Sequence, residues 1–265
     1  MPTSAAGTVV DPSGLKRTFT RAQQAVLLAA AGVVTLAAWA WLVRASGSPH
    51  DASMAFHPAH HHQPFDLWAL VAMVAMWQAM MVAMMTPSVL PWVLTFATLT
   101  GRECDPRSTF GRVAAFGAGY FTVWFGYSVI AATAQTALQH AGFLEMGGRL
   151  PAAAGGAVLI AAGLLYFLPL NRACLTHCRN PLTYFLTHWE NGPRRGFNFG
   201  LDHGVYCVGC CWLLMVTGFA MGTMNVLWMV FLTLLICVEK LAPRGERIGA
   251  VAAVGMITWG LVLLR

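Results

Sequence analysis

Residues 24–43 read QAVLLAAAGVVTLAAWAWLV and carry no charged side chain. A helix of this length, rising ~1.5 Å per residue, crosses the ~30 Å hydrocarbon core of a bilayer. A cleaved signal peptide has a shorter apolar region, of only ~7–15 residues. The stretch therefore predicts a retained first transmembrane helix.

The composition of the whole chain favours the same class of protein. The 265 residues are 57% hydrophobic and 10% charged, whereas about a quarter of the residues in a soluble domain are charged. No polar region is long enough to form a separate soluble domain. The formal net charge of +6 comes from basic residues near predicted helix ends, where they indicate topology and do not indicate a nucleic-acid partner.

Seven uncharged stretches predict an all-α bundle of seven transmembrane helices, formed by one domain (24–264) after a polar cytoplasmic tail (1–23). Pro87 and Pro91 interrupt the second stretch, and each removes a backbone donor, so a kink or break is expected there. A re-entrant hairpin is the alternative at this point. The predicted spans are 24–43, 67–86 with a bent continuation to about 100, 113–136, 152–170, 204–221, 223–238 and 248–264.

The distribution of basic residues predicts the orientation of these spans. With the N-terminus in the cytoplasm, only Arg44, Arg149 and Arg265 of the 16 lysines and arginines fall on the outer side. Such an excess on the cytoplasmic side is what the positive-inside rule describes. The cysteine-rich segment 174–212 is then cytoplasmic, and the histidine-rich loop 44–66 lies outside.

Five of the seven cysteines form two groups with the same i, i+3, i+4 spacing, each accompanied by a histidine. On a helix, residues at this spacing share one face. Thiolates and imidazoles bind copper or zinc, and a thiolate-rich site favours Cu(I). The alternative is that cysteine packs as a small apolar residue, but two matched groups favour metal or redox use. The predicted ligands are Cys174, His177, Cys178, His203, Cys207, Cys210 and Cys211.

Two further groups are secondary metal candidates. Histidines of the outer loop can capture an ion weakly, or can be part of a solvated polar loop. Methionines of the second span follow i, i+3, i+7, i+11 and form one stripe, which suits either a Cu(I) conduit or helix packing. These candidates are His57, His60, His61 and His62, and Met73, Met76, Met80 and Met84.

The two cysteine groups are expected to form one site. They lie at facing ends of the fourth and fifth spans, and consecutive helices usually pack side by side. Pro181 and the turn at 191–193 bound a short surface helix in the connection. We expect a sulfur of the first group within about 8 Å of one in the second, because metal–sulfur bonds of ~2.3 Å can then close the gap.

These motifs resemble those of the bacterial domain-of-unknown-function family 2182 (DUF2182), whose members are predicted metal-binding integral membrane proteins. The resemblance rests on CLTHCRNPLTYFL, FGLDHGVYCVGCCWLLM, MGTMNVLWM, EKLAPRGERIG and the upstream MWQAMMVAMMTPSVLP, and covers roughly residues 65–264. It implies an all-helical protein of the bacterial inner membrane and supplies no reaction. The positions that match its metal site are Cys174, Cys178, His203, Cys207, Cys210 and Cys211.

Three hypotheses for function follow. The first is a copper-handling membrane protein, acting as carrier, insertion factor or transporter, with zinc as the other candidate metal and a metal chaperone or a metalloenzyme under assembly as partner. The second is a thiol–disulfide oxidoreductase that uses Cys207 and Cys210, which we expect near a helix N-terminus whose dipole stabilises a thiolate. The third is a structural subunit of a membrane complex. No nucleotide-binding loop is present, so ATP-driven pumping by this chain is not expected, and the first hypothesis implies no enzymatic activity.

Overall fold

The computed structural model describes residues 20–47, 67–145, 147–189 and 194–265, and the regular elements of these ranges are all α-helices. The prediction of an all-α chain is confirmed. Most of the polar tail and nearly all of the histidine-rich loop lie outside the described residues. In chain order the helices are α1 (Arg21–Gly47), α2 (Leu67–Thr100), α3 (Pro106–His140), α4 (Ala152–Tyr166), α5 (Pro169–Arg179), α6 (Pro181–Thr187), α7 (Arg195–Met221), α8 (Val226–Leu241) and α9 (Gly245–Leu263).

Several of these helices suit a multi-pass membrane protein. Within the described ranges, α1, α2, α3, α7 and α9 are long and apolar enough to cross a membrane, and α4 with α5 makes a sixth if that bent pair is one span. Helix α8 has 16 residues, or about 24 Å at ~1.5 Å per residue, which is shorter than a typical span. The membrane class is supported, but the count of seven needs α8 as well.

Helix α2 is continuous through Pro87 and Pro91, so the break and the re-entrant hairpin that the sequence allowed there do not occur, while the kink stays a prediction. Residues on both sides of the prolines are buried, including Met85, Val89 and Trp92. Tertiary packing of this kind allows prolines within a membrane helix. The 34 residues of α2 make a helix about 51 Å long, so it extends beyond the hydrocarbon core.

Helix α3 begins seven residues before the predicted span because its N-terminus is capped. Asp105 is the N-cap, Pro106 occupies the first turn, and the Asp105 carboxylate accepts a hydrogen bond from the Ser108 amide at 3.3 Å. Hydrogen bonds from Ser108 also lower the pKa of the Asp105 carboxyl from its usual value. A charged N-cap followed by proline is a favourable helix start.

A sharp break separates α4 from α5. The chain bends by 68° between them, and Leu168 takes an extended conformation before Pro169 at the start of α5. A residue that precedes proline is disfavoured in the helical conformation. The predicted fourth span, 152–170, is therefore wrong at its end, because the segment carrying Cys174 and Cys178 is a helix of its own.

Hydrogen bonds and ion pairs group the connecting segments at two ends of the bundle. At one end, Arg195 forms a salt bridge with Glu103 at 2.7 Å, and Arg179 donates to the carbonyl of Ala242 at 2.7 Å. At the other end, the amide of Leu150 donates to a carbonyl of the last turns of α7 at 2.8 Å. The connections after α2, between α5 and α7, and after α8, all assigned to the cytoplasm by their charges, therefore lie together.

A glycine seam joins α3 to α7. Gly196, Gly200 and Gly204 repeat at four-residue spacing on α7, and Gly119 lies opposite on α3. A Cβ atom added at Gly200 would lie 2.9 Å from the carbonyl carbon of Phe116, which shows that the two backbones touch. Small residues at this spacing allow such close approach between membrane helices. The seam fixes the position of the first half of α7, directly before the cysteines.

Candidate metal centre

Thiols from two helices meet in the interior of the bundle. The sulfur of Cys178 on α5 lies 3.8 Å from that of Cys210 on α7, and the sulfurs of Cys210 and Cys211 are 3.3 Å apart. The prediction that the two groups approach within about 8 Å is confirmed. Two sulfurs bound to one tetrahedral ion through ~2.3 Å bonds lie about 3.8 Å apart, so this spacing accommodates a shared ion.

Local structure explains why these particular thiols meet. The i, i+3, i+4 spacing places Cys207, Cys210 and Cys211 on one buried face of α7. The end of α5 is held against α2 because the Trp92 indole donates to the carbonyl of Cys178 at 2.7 Å. Cys178 therefore faces the α7 thiols, and all four cysteines are buried.

Cys207 has two polar neighbours that the sequence did not reveal. The Lys240 ammonium donates to its sulfur at 2.9 Å, and the Tyr120 hydroxyl lies 3.0 Å from it. Lys240 lies beyond the predicted span 223–238, but the structure places it in the last turn of α8, where it is 7% exposed. A buried cation requires an anionic or strongly polar partner, and a cation beside a cysteine favours its thiolate form.

The predicted helix-dipole effect on Cys207 is wrong. Helix α7 begins at Arg195, twelve residues earlier, and the dipole effect falls off within the first turn of a helix. The Lys240 ammonium supplies the positive charge beside this sulfur instead. In the sequence, Lys240 follows a long apolar run, which indicates a helix boundary and does not point to Cys207.

The two predicted imidazole ligands stack on aromatic rings beside the thiols. His203 lies against Trp92 with 4.0 Å between ring centroids, and His177 lies against Tyr206 at 3.7 Å. Nε2 of His177 and Nδ1 of His203 are buried without a hydrogen-bond partner. A buried polar atom without a partner costs roughly 1–3 kcal/mol of stability. Each of these nitrogens is therefore free to bind a metal ion.

Cys174 stands apart from the four buried thiols. It is partly exposed, and its sulfur lies against the backbone of Gly209, where an added Cβ atom would be 2.9 Å away. Gly209 therefore gives α5 the room to approach α7. Cys174 lies one turn before Cys178 on the same face of α5. Its role as a metal ligand stays a prediction.

The thiols are close together but are not arranged as a finished coordination sphere. In the part of the chain that the structure describes, no group of three or more Cys, His, Asp or Glu side chains has an arrangement that could hold a metal ion. Ion binding would therefore require side chains to rotate. The role of the predicted ligands as a set stays a prediction, although the sulfur contacts are present.

The secondary candidates are only partly described. The methionines of the predicted stripe on α2 are buried inside the bundle. Burial is expected both for helix packing and for a Cu(I) conduit, so the conduit stays a prediction. The four histidines of the outer loop, His57, His60, His61 and His62, lie outside the described residues. The buried methionines of the stripe are Met73, Met76, Met80 and Met84.

Comparison with known proteins adds a family. The sequence model of a family described as "PpoB2: Copper chaperone" matches residues 74–263. This is nearly the same part of the chain as the resemblance drawn from its motifs, under a different family name. No curated protein and no solved structure matches the chain.

Proposed function

The chain belongs to the PpoB2 family of copper chaperones, and on that premise we propose that it holds Cu(I) on buried cysteine thiols and delivers it to a metalloenzyme under assembly. The observation that carries the proposal is the pair of sulfurs on two helices, Cys178 and Cys210, 3.8 Å apart. Thiolates are the soft ligands that select Cu(I) in proteins. The copper ion is cargo, so the chain needs no catalytic residues.

The charges around the thiols support a monovalent ion. Cu(I) bound by two thiolates carries one net negative charge, which the ammonium of Lys240, 2.9 Å from the sulfur of Cys207, would offset. A neutral set of groups is favourable because burying a net charge is costly. Zinc would need three thiolates beside the same ammonium to reach neutrality, so the number of bound sulfurs distinguishes the two metals.

We further propose a seven-span topology in the bacterial inner membrane, with the N-terminus and the thiols on the cytoplasmic side. Helix α8 is the seventh span despite its length. It starts beside the end of α7, whose last turns accept a hydrogen bond from the Leu150 amide. It ends at Leu241, next to the Ala242 carbonyl that accepts a hydrogen bond from Arg179. A helix that connects the two ends of the bundle runs through its full apolar thickness.

Elemental analysis of anaerobically purified protein tests the proposal. We expect about one copper ion per chain, or uptake of one in an anaerobic Cu(I) titration of protein isolated without metal. X-ray absorption at the copper edge should then show sulfur ligands. Protein that contains no copper and takes up none would refute the proposal, and stoichiometric zinc in its place would correct the metal.

One observation favours the oxidoreductase as a second candidate. The sulfurs of Cys178 and Cys210 are close enough for a small movement to form a ~2.05 Å disulfide bond, and they connect two helices. This changes the candidate redox pair from Cys207 and Cys210 to a pair across the α5–α7 contact. Thiol trapping of metal-free protein over a series of redox buffers separates the candidates, because a reversible disulfide supports the oxidoreductase.

The structural-subunit hypothesis instead expects no phenotype when the five clustered cysteines are replaced by serine.

A further inference from the structure

A polar cleft of about 450 Å³ lies beside the thiol cluster, between α5, α6 and the first half of α7. Two of its lining residues directly precede cysteines of the cluster, since His177 is followed by Cys178 and Tyr206 by Cys207. The rings of His177 and Tyr206 stack across the two helices at 3.7 Å. The cleft therefore lies against the same segments of α5 and α7 that carry Cys178 and Cys207.

The cleft provides a cation with ligands and with a negative charge. His188 uses Nδ1 in a contact with the Thr187 hydroxyl at 2.8 Å, which leaves Nε2 for another ligand. Asp202 accepts a hydrogen bond from Tyr184, so its carboxylate is held at the cleft wall. An imidazole and a carboxylate at the mouth of a cleft attract and bind metal cations.

Histidines continue from this cleft to the buried sulfurs. The Tyr184 ring lies between His188 and His177, with centroid distances of 4.7 Å and 4.8 Å. The rings of His177 and His203 are 6.5 Å apart, and His203 lies one helical turn before Cys207. Exposure decreases along the series, since His188 is exposed, His177 is half-buried and His203 is 1% exposed.

The two inner histidines have unsatisfied nitrogens, Nε2 in His177 and Nδ1 in His203. Nearly all buried polar atoms in proteins have hydrogen-bond partners, so two orphaned imidazole nitrogens in one series require an explanation. Neutral imidazole nitrogen is a copper ligand. Each orphan is at a position where a transient copper ligand would be needed between the cleft and the thiols.

We propose that this cleft is the port through which Cu(I) reaches and leaves the thiol site, by ligand exchange along His188, His177 and His203. The inference rests on the proposed copper function. Because the Tyr184 ring lies between His188 and His177, copper passes between the histidines bound to water of the cleft. A copper–oxygen bond replaces each copper–nitrogen bond that breaks, the next nitrogen then displaces that water, and copper keeps its oxidation state. In the last step copper–sulfur bonds form, and each thiol that binds as a thiolate releases its proton to the water of the cleft.

Transfer kinetics test the port. Full-length protein in detergent is mixed under anaerobic conditions with the Cu(I)–bicinchoninate complex, whose colour fades as copper leaves it. The same reagent at equilibrium reports the copper dissociation constant. For His177→Gln and His188→Gln we expect transfer to slow by about tenfold or more. For His188→Gln, which lies outside the predicted ligand set, the dissociation constant should change less than about threefold. The matched control is His140→Gln, at the far end of α3, which should change neither quantity.

The outcomes separate the port from the proposed function. Normal transfer rates in both cleft variants would overturn the port, as would a His177→Gln dissociation constant weakened as much as that of Cys178→Ser, since His177 would then be a permanent ligand. If wild-type protein takes up no copper, the proposed function itself fails. His188→Gln changes an exposed side chain, so the test holds even if the variant at half-buried His177 does not fold.

Discussion

Replacing Gly200 with alanine should increase the distance between α3 and α7. The same displacement should disturb the thiol site. The added Cβ would lie 2.9 Å from the carbonyl carbon of Phe116 and 2.9 Å from the amide nitrogen of Tyr120. Favourable contacts between such atoms begin at about 3.5 Å. The carbonyl oxygen of Phe116 would lie closer still. The two backbones must therefore move apart by at least about 0.6 Å, because none of these atoms belongs to a flexible side chain.

The magnitude follows from comparison with a second glycine. Overpacking of this kind costs about 1–3 kcal/mol, while alanine gains about 1 kcal/mol over glycine from helix propensity. Gly117 lies on α3 with no atom within 4 Å of an added Cβ, so Gly117→Ala receives only the gain. The free energies of unfolding of the two variants should thus differ by the packing cost alone, about 1–3 kcal/mol.

The same displacement should reach the metal site. Tyr120 follows the α3 backbone, and its hydroxyl is 3.0 Å from the sulfur of Cys207. A shift of at least about 0.6 Å would lengthen this contact and weaken the hydrogen bond. Gly200→Ala should therefore bind copper more weakly than Gly117→Ala.

Denaturant unfolding in detergent micelles, followed by circular dichroism, measures the stability difference, and Cu(I) competition measures the affinity. Equal unfolding free energies for Gly200→Ala and Gly117→Ala, to within about 0.5 kcal/mol, would refute the account of the seam. Equal copper affinities with unequal stabilities would refute only the coupling from the seam to Cys207.

Three further predictions concern the site and its orientation. Cys178→Ser should weaken Cu(I) binding at least about tenfold in a competition titration, whereas Cys104→Ser, in the loop after α2, should leave it unchanged; equal affinities would remove Cys178 from the ligand set. Lys240→Met should weaken copper binding more than Lys240→Arg, because only arginine keeps a positive charge beside the thiol, and indistinguishable variants would show that the charge has no role. Reporter fusions in the loops 44–66 and 179–200 should report opposite sides of the membrane, and a shared side would show the topology to be wrong.

The membrane helices could be predicted because their signal is local. An uncharged run of sufficient length specifies a helix in lipid whatever its neighbours are. The meeting of Cys178 with Cys210 was predictable for a related reason, since the spacing fixes a helix face and the order of the spans makes the two helices neighbours. The end of the fourth span was also marked locally, by Pro169, but the apolar run concealed the break.

Other parts of the site depend on contacts that spacing does not encode. A lysine after an apolar run indicates a helix boundary, and only the packing of α8 on α7 shows that Lys240 reaches Cys207. The cleft brings His188 and Asp202 beside His177 through the chain reversal between α5 and α7. No fixed interval in the sequence specifies that reversal.

Because of the break before α5, the thiols lie on two helices that differ in how firmly they are fixed in the bundle. Cys207, Cys210 and Cys211 belong to α7, which the glycine seam fixes to α3, whereas Cys178 lies near the end of an 11-residue helix. Measured from Leu168, Cys178 is at the end of an arm about 15 Å long, at ~1.5 Å per residue. Tilting this arm by roughly 10° about the break would move Cys178 by about 2.6 Å, enough to lengthen a ~2.3 Å metal–sulfur bond beyond bonding distance. Such a tilt breaks the hydrogen bond from the Trp92 indole to the Cys178 carbonyl and withdraws one sulfur while the other three stay in place. The coordination number can then change without any rearrangement of the α3–α7 pair.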